Sequence, residues 1–326
     1  MKRIHTKLLM LFASFLIIGQ SLIAQQKNDM IFWGVFEEGI ETNLALVSDY
    51  ATQFGKKPSM VMWYDHWRVG SLDTFRLAVC EKVTEAGYIP HIVWEPWIGL
   101  DNILAGKYDN DIKNYAKGIA KFDKPIMIRF AHEFNGDWYP WSFINNAPVS
   151  PETWIKAQKY VHNMVVAAGA KNVIWLWSPN NGNGGKNPYD FMAYYPGDEY
   201  VDWIALDGYN WGTSQSWSSW TSFAGVFNIV YQKVVARCPD KPIMIGETGC
   251  SSTGGDKTAW LTDMFFQMKN NFPHIKAFLY FNVNKETDWR FSSTKESTEA
   301  FKIGLSDSIV KYDLKLLENL SKPKMK

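Results

Sequence analysis

Pro125-Ile126-Met127-Ile128 runs without a break into Arg129-Phe130-Ala131-His132-Glu133-Phe134-Asn135-Gly136-Asp137-Trp138-Tyr139-Pro140-Trp141. The first part reads as a buried strand, and the second as a loop carrying a carboxylate, an imidazole, an amide and three aromatics. A hydrophobic core has no use for a His-Glu pair at the end of a strand. A solvated turn has none for Trp-Tyr-Pro-Trp. Because charged residues are almost never buried without a partner, the stretch is read as a strand that opens into a functional site. It lacks a second acid, which has to come from elsewhere in the chain.

Working outward, β-rich runs recur at Ile31–Phe36, Met60–Tyr64, Ile89–Trp94, Ile126–Phe130, Val173–Trp177, Trp203–Leu206, Ile243–Ile245 and Ala277–Phe281. Between them, residues with helical spacing lie at Asn43–Phe54, Leu72–Ala86, Asp109–Phe122, Pro151–Ala168, Phe223–Arg237 and Asp256–Asn271, with Thr294–Val310 after the last run. The interval after Trp177 is rich in Gly and Asn and leaves room only for a short helix at Tyr189–Tyr195. Ser150-Pro151-Glu152 reads as a helix start, and Gly87 and Gly169 read as helix stops. Asp109-Asn110-Asp111 has no Gly or Glu at the offsets of a calcium loop, so it too reads as a helix start. Eight strands alternating with helices predict a single-domain α/β protein, a (β/α)8 TIM barrel. The rival, a doubly wound open sheet, lacks a Gly-x-Gly-x-x-Gly turn after its first strand.

The 326 residues, 46% of them hydrophobic, can bury one large core, and no linker or charge block divides them. Lys2, Arg3 and Lys7 precede an apolar segment from Leu8 to Ile18 and a small Ala24, the pattern of a secretory signal peptide over residues 1–24. Residues 25–326 then form one domain, with the lysine-rich stretch 311–326 expected as a helix end and frayed tail. The expected location is secreted or periplasmic. No other apolar stretch is long enough to span a bilayer, and no Cys follows the cleavage point to take a lipid. The formal charge is +1, and removal of Lys2, Arg3 and Lys7 would take it to −2, which argues against nucleic acid as a partner. Cys238 and Cys250 flank a strand and would stand about 15 Å or more apart, so no bridge between them is expected. A monomer without cofactor or metal is expected: the six histidines do not cluster, and there is no His-x-x-x-His or Cys-x-x-Cys spacing. No Gly-x-Ser-x-Gly elbow supports serine hydrolysis.

In such a barrel the site lies at the carboxyl ends of the strands. Reading just past each strand gives Glu95, Glu133, Asn180 with Asn181, Asp207 with Tyr209 and Asn210, Glu247, and Asn284 with Glu286 and Trp289. Glu133 and Glu247 end strands that face one another across the mouth, with Arg129, His132 and Tyr209 as polar neighbours. Two facing carboxyls, one protonated and one ionised, are what cleavage of a glycosidic bond requires. Glu95, taken alone, is as well explained as a cap for the next helix. Indoles are abundant, 16 in all. Trp63, Trp94, Trp97, Trp138, Trp177, Trp211 and Trp289 are candidates to stack on the apolar faces of pyranose rings, with Asn180, Asn181 and Asn210 binding the hydroxyl edges. Strand parity alone does not say which of them face the groove.

His132-Glu133-Phe134-Asn135-Gly136-Asp137-Trp138 resembles the acid/base motif of glycoside hydrolase family 26, and Ile245-Gly246-Glu247-Thr248-Gly249 resembles its nucleophile motif. Asp207-Gly208-Tyr209 and Asn282–Glu286 with Trp289 look like further segments of that family, in the expected order, and the resemblance spans Phe32 to Phe301. It implies a retaining glycosidase with Glu133 as general acid/base and Glu247 as nucleophile. It further implies that Tyr209 donates to the nucleophile, that His132 sits at the subsite left of the cut, and that Trp138 and Trp289 line the sugar path. Trp94-Glu95-Pro96-Trp97 and Trp138-Tyr139-Pro140-Trp141 look more like the mixed-linkage glucanase branch than the common mannanase pattern, so Trp94 joins the expected substrate contacts. β-Mannan and mixed-linkage β-1,3-1,4-glucan stand level as substrates of an endo-acting enzyme, with β-1,3-xylan behind. A non-catalytic sugar-binding barrel is the other class, and it would be expected to have lost one of the two carboxylates. Both are present.

Overall fold

Eight parallel strands close on themselves in the computed structural model, which describes residues 27–320 apart from 69–70, 73, 145–146 and 186. They are β1 (Ile31–Phe36), β2 (Met60–Arg68), β3 (Ile89–Glu95), β4 (Ile126–Phe130), β5 (Val173–Trp177), β6 (Trp203–Asp207), β7 (Ile243–Thr248) and β8 (Ile275–Phe281). Each pairs with the next, and β1 pairs with both β2 and β8, so no sheet edge is left between them. The fold is a (β/α)8 barrel, with every strand where the β-rich runs place it. The expected signal peptide, residues 1–24, lies outside the described residues.

Strand alternation sorts the apolar side chains into two layers. Met62, Val93, Met127, Leu176, Ala205, Met244 and Leu279 point into the lumen and form one cluster. Val61, Ile92, Ile128, Trp175, Ile204, Ile245 and Phe278 point outward and meet the helices. These helices are α1 (Leu77–Glu85), α2 (Asp109–Phe122), α3 (Pro151–Ala167), α4 (Phe223–Arg237), α5 (Lys257–Asn270) and α6 (Lys295–Ser306). In α2 the buried set Ile112, Tyr115, Ala116, Ile119 and Phe122 follows the helical period and faces the sheet. Ser150 caps α3 ahead of Pro151, and Gly87 and Gly169 take positive φ of 81° and 92° just past α1 and α3. The expected helix at Asn43–Phe54 is two short turns, Ala45–Ser48 and Tyr50–Phe54. The expected Tyr189–Tyr195 helix is a single 3-10 turn at Phe191–Tyr194.

The end of the chain keeps the expected helix and corrects the expected fraying over 311–320, while 321–326 lie outside the described residues. After α6, Asp307 turns to extended backbone (φ −58°, ψ 139°), and β9 (Val310–Lys311) pairs with Ile31 and Phe32 of β1. A final helix, α7 (Leu314–Leu320), then buries Leu317 completely in the lumenal cluster beside Phe32 and Met60, with Leu314, Leu316, Leu320 and Met30 around it. The C-terminal segment therefore stoppers the end of the barrel opposite the site, and its lysines conceal a leucine face. Leu317→Ala should cost about 2–5 kcal/mol in urea unfolding, because the closed lumen collapses poorly around the lost side chain. The kcat should stay within a factor of two, and a loss below 0.5 kcal/mol would contradict the stopper. All three cysteines are free and buried.

Candidate active site

The loop after β4 is held in a shape its sequence would not adopt alone. Ala131 and Glu133 both lie in the left-handed region, at φ 46° and 50°, where non-glycine residues are strained. Four buried groups hold it there. Trp154 Nε1 donates to Ala131 O (3.2 Å) and Trp141 Nε1 to His132 O (2.7 Å), while Glu133 N donates to Ser178 O (2.7 Å). Phe134, fully buried, wedges between Trp154, Trp177 and Tyr194. Asn135 then ties this loop to the one after β5, donating to Asn180 O (3.0 Å) and Gly182 O (3.1 Å) and accepting from Asn180 N (2.8 Å). The result aims Glu133 at the mouth, with Asn180 Nδ2 on Oε1 (2.6 Å) and Trp138 Nε1 on Oε2 (2.8 Å).

Glu247 needs a different device. In β7 Met244 faces the lumen and Ile245 faces outward, so strict alternation would send Glu247 outward. The β6–β7 register instead shifts by one residue between Ile245 and Glu247, bringing Glu247 level with Asp207, and this bulge turns its carboxyl inward. Gly246 makes the shift feasible: a Cβ there would stand 2.8 Å from Arg129 Nη1 and 2.9 Å from the Ala205 side chain. Inside, Glu247 Oε1 accepts from Tyr64 OH (2.7 Å) and from Arg129, and Oε2 accepts from Tyr209 OH (2.7 Å). Arg129, fully buried, is itself fixed by Asp207 Oδ1 (2.6 Å) and Ser178 Oγ (3.2 Å). One guanidinium thus serves two carboxylates from the ends of β6 and β7.

The two glutamates line one cleft of about 1060 Å³ at the carboxyl ends of the strands. Trp97, Tyr139, Trp138, His66 and Glu95 form one side of it, and Tyr209, Trp211, Trp217 and Trp289 the other. Of the expected sugar contacts, Trp138, Tyr209 and Trp289 are in the cleft wall. Trp94 is not: it is fully buried on the outward face of β3, stacked on Tyr115 of α2 (ring centroids 4.5 Å apart), and Trp63 and Trp177 point outward for the same reason. Strand parity puts the residue after Trp94, Glu95, into the mouth in its place. His132 is also removed from the wall, 1% exposed beneath Tyr139 and Trp141. Asn210 is buried and holds the loop from Gly212 to Trp220 by accepting from Gly212 N (3.1 Å) and Thr221 N (3.0 Å). Tyr64, His66 and Trp217 were missed by sequence reading. Tyr64 closes the expected run Met60–Tyr64 but lies mid-strand, since β2 continues to Arg68, and His66 stands two residues beyond that run, where a longer strand reading would have met it; Trp217 sits in a Ser-rich loop with no periodic signal.

The electrostatics of the pair are asymmetric. Burial, and then the charge of Glu247, pushes the Glu133 carboxyl up to about 7. Glu247 instead faces a guanidinium and two phenol donors. Near neutrality the cleft therefore offers a proton on Glu133, opposite a carboxylate set against a cation and two hydroxyl donors. His132 is pushed down to about 3 by burial and by the Arg129 charge, so it stays neutral. Among the described residues no group of three or more His, Cys, Asp and Glu side chains is arranged to hold a metal ion, and no helix is long and apolar enough to cross a membrane.

Residues 66–284, which include both glutamates, match the family model for glycosyl hydrolase family 26. The chain is 35% identical over 267 residues to endoglucanase H of Acetivibrio thermocellus, and 22% identical over 222 residues to the β-1,3-xylanase TXYA of a Vibrio species. These alignments cover 81% and 60% of this chain but only 29% and 43% of the relatives, so the chain spans less than half the length of either. Among solved structures, the β-mannanase BoMan26A of Bacteroides ovatus superposes with a TM-score of 0.64 at 16% identity, over 87% of this chain and 90% of that one. At that identity it speaks to the barrel alone.

Proposed function

The chain belongs to glycosyl hydrolase family 26, and from that premise we propose that it is a retaining endo-β-glycanase whose substrate is mixed-linkage β-1,3-1,4-glucan. The observation that carries the chemistry is the unequal pair: Glu133, pushed up to about 7, and Glu247, set against Arg129, Tyr64 and Tyr209, in one cleft. In the first half-reaction Glu133 gives its proton to the departing glycosidic oxygen while Glu247 attacks the anomeric carbon; the C–O bond breaks and a glycosyl ester forms. In the second, Glu133 takes a proton from water, which attacks the same carbon and releases Glu247, restoring the original configuration. Aromatics stand on both sides of the acid pair, as binding sugars on both sides of an internal bond requires. The relative with 35% identity is named an endoglucanase, which tips the choice of polymer from mannan to glucan. We place the enzyme outside the cytoplasm, where such polymers are met, with residues 1–24 as its leader; N-terminal sequencing of the exported protein reads this directly.

Separate digestion of barley-type β-glucan, mannan and β-1,3-xylan tests the substrate. A ladder of oligosaccharides from glucan alone is the expected result, and a ladder from mannan alone would replace glucan by mannan. The pH profile tests the roles. Glu133 is raised, so it carries its proton below about 7 and loses it above; kcat/KM should then fall tenfold per pH unit on the alkaline side, with a midpoint near 7. Glu133→Gln should remove that limb and slow substrates with poor leaving groups by about 10²–10⁴, while aryl glycosides with acidic leaving groups suffer far less. An unchanged alkaline limb would exclude Glu133 as the acid.

A further inference from the structure

Glu95 is left over by the double-displacement chemistry, and it does not cap the next helix. That helix, Leu100–Leu104, is entered through Gly99 with no side-chain cap. Glu95 instead ends β3 on its lumenal face and lines the cleft beside Trp97 and His66, with only 3% of its surface exposed. Its two oxygens are used unequally. Oε2 accepts from Trp97 Nε1 (2.9 Å) and abuts His66 Nδ1. Oε1 has no hydrogen bond from any described residue, and the neutral His132 ring lies beyond hydrogen-bond reach, its Nε2 4.0 Å away. Oε1 is left open to the cleft, where a carboxylate oxygen with no protein donor takes one from water or from a bound molecule. Burial works to protonate Glu95, yet the hydrogen bonds from His66 and Trp97 hold it below the usual carboxylate range. It is therefore an anion, and an anionic oxygen is the strongest acceptor a neutral hydroxyl can find.

Trp97 completes the arrangement. Its indole is 42% exposed, in edge contact with Tyr139 (5.7 Å) and Trp141 (5.4 Å), and its free face looks into the cleft. The hydrogen bond to Glu95 fixes the plane of that face, while the half-exposed His66 ring flanks it. From an apolar platform, an unpartnered carboxylate oxygen and an imidazole at its rim, we infer that Glu95, His66 and Trp97 form a sugar subsite. In it the ring of one hexosyl unit stacks on Trp97, one hydroxyl donates to Glu95 Oε1, and a neighbouring hydroxyl meets His66. The subsite serves a unit outside the bond being cut, because Glu133 and Glu247 occupy the reacting position. It rests on the glycanase reading above and adds to it a residue that selects by hydroxyl pattern.

The test compares substrates that do and do not reach Glu95. kcat/KM is measured for the wild-type chain and Glu95→Gln on a series of β-glucan oligosaccharides from the shortest one cleaved to the longest, with the thermal unfolding of each chain as a control on folding. A hydrogen bond to a charged group lost from one subsite should appear as a loss about 10- to 100-fold greater on the long substrates than on the shortest, carried by KM, with a changed choice of bond. Equal losses at all lengths would mean that Glu95 acts on the reacting carboxyls and would overturn the subsite. Trp97→Phe separates hydroxyl binding from indole positioning: if it reproduces the Glu95→Gln loss and the double variant loses no more, Glu95 merely orients Trp97. A second measurement needs no variant. Wild-type enzyme given oligosaccharides deoxygenated at single positions, one unit at a time beyond the two that flank the cut, should lose the same factor at one position, and indifference at every position would sink the proposal. A wild-type chain that cleaves no β-glycan at all would count against the glycanase reading itself, a result distinct from any of these.

Discussion

Glu247→Ala should abolish turnover, lowering kcat by about five orders of magnitude, or ~7 kcal/mol of transition-state stabilisation at 1.36 kcal/mol per decade. The reason is that the carboxylates it faces are engaged elsewhere. Asp207 is fully buried and bound to Arg129 and Ser178, and Glu133 is held by Asn180 and Trp138, where we assign it to proton transfer. The variant keeps Arg129 paired with Asp207 (2.6 Å), so the fold should persist and the loss can be read as chemistry. Azide then provides the decisive measurement. A small anion entering the space vacated by the carboxylate attacks the anomeric carbon from the same side, and the product is a glycosyl azide of inverted configuration, visible by NMR. Residual activity within tenfold of wild type, or rescue with retained configuration, would remove Glu247 from the nucleophile's role.

Arg129→Met should be the most destabilising single change, about 3–5 kcal/mol in urea unfolding, since it strands two buried carboxylates that now share one cation. The side chain is fully buried and contacts Asp207, Glu247, Ser178 and Met62, so removing it leaves acceptors with nowhere to turn for water. Adding Asp207→Asn should return part of the loss by deleting one of the orphaned charges. By contrast Lys233→Ala, which breaks a half-exposed pair with Asp190, should change stability by less than about 1 kcal/mol. Equal costs for Arg129 and Lys233 would show that the buried ion cluster does not hold the mouth of the barrel together. Activity adds a second readout: Arg129→Met should lower kcat even where the chain remains folded, because Oε1 of Glu247 loses its cation.

The division between sequence and structure follows a single residue's worth of rotation. Trp94 and Glu95 are adjacent, and the sequence reading favoured the tryptophan as the sugar contact and left the glutamate open between the mouth and a helix cap. The strand reverses them, because successive side chains face opposite sides of the sheet and the lumenal phase is set by Ile89 and Val93. Trp97, two residues further on and past the strand's end, is freed from that alternation and reaches the cleft. His132 fails as a wall residue for a related reason: the left-handed turns at Ala131 and Glu133 bring the glutamate up and drive the histidine under Tyr139. Neither event leaves a trace in local composition.

What the sequence by itself determined is the barrel and its chemistry. Eight apolar runs alternating with amphipathic segments leave few other ways to bury both faces of each strand, and two glutamates at strand ends among amides and indoles mark the mouth. Only the tertiary structure decided how those residues are aimed. The β7 bulge at Gly246 turns Glu247 inward, Arg129 joins it to Asp207 across the lumen, Tyr64 arrives from β2 as a second donor, and Leu317 closes the far end from a segment that reads as tail. Hydrophobic periodicity is a local property of the chain, so it survives in one dimension. Register shifts, charge pairing across a lumen and the closing of an open end depend on contacts between residues far apart in sequence, and their physics exists only once the strands have closed.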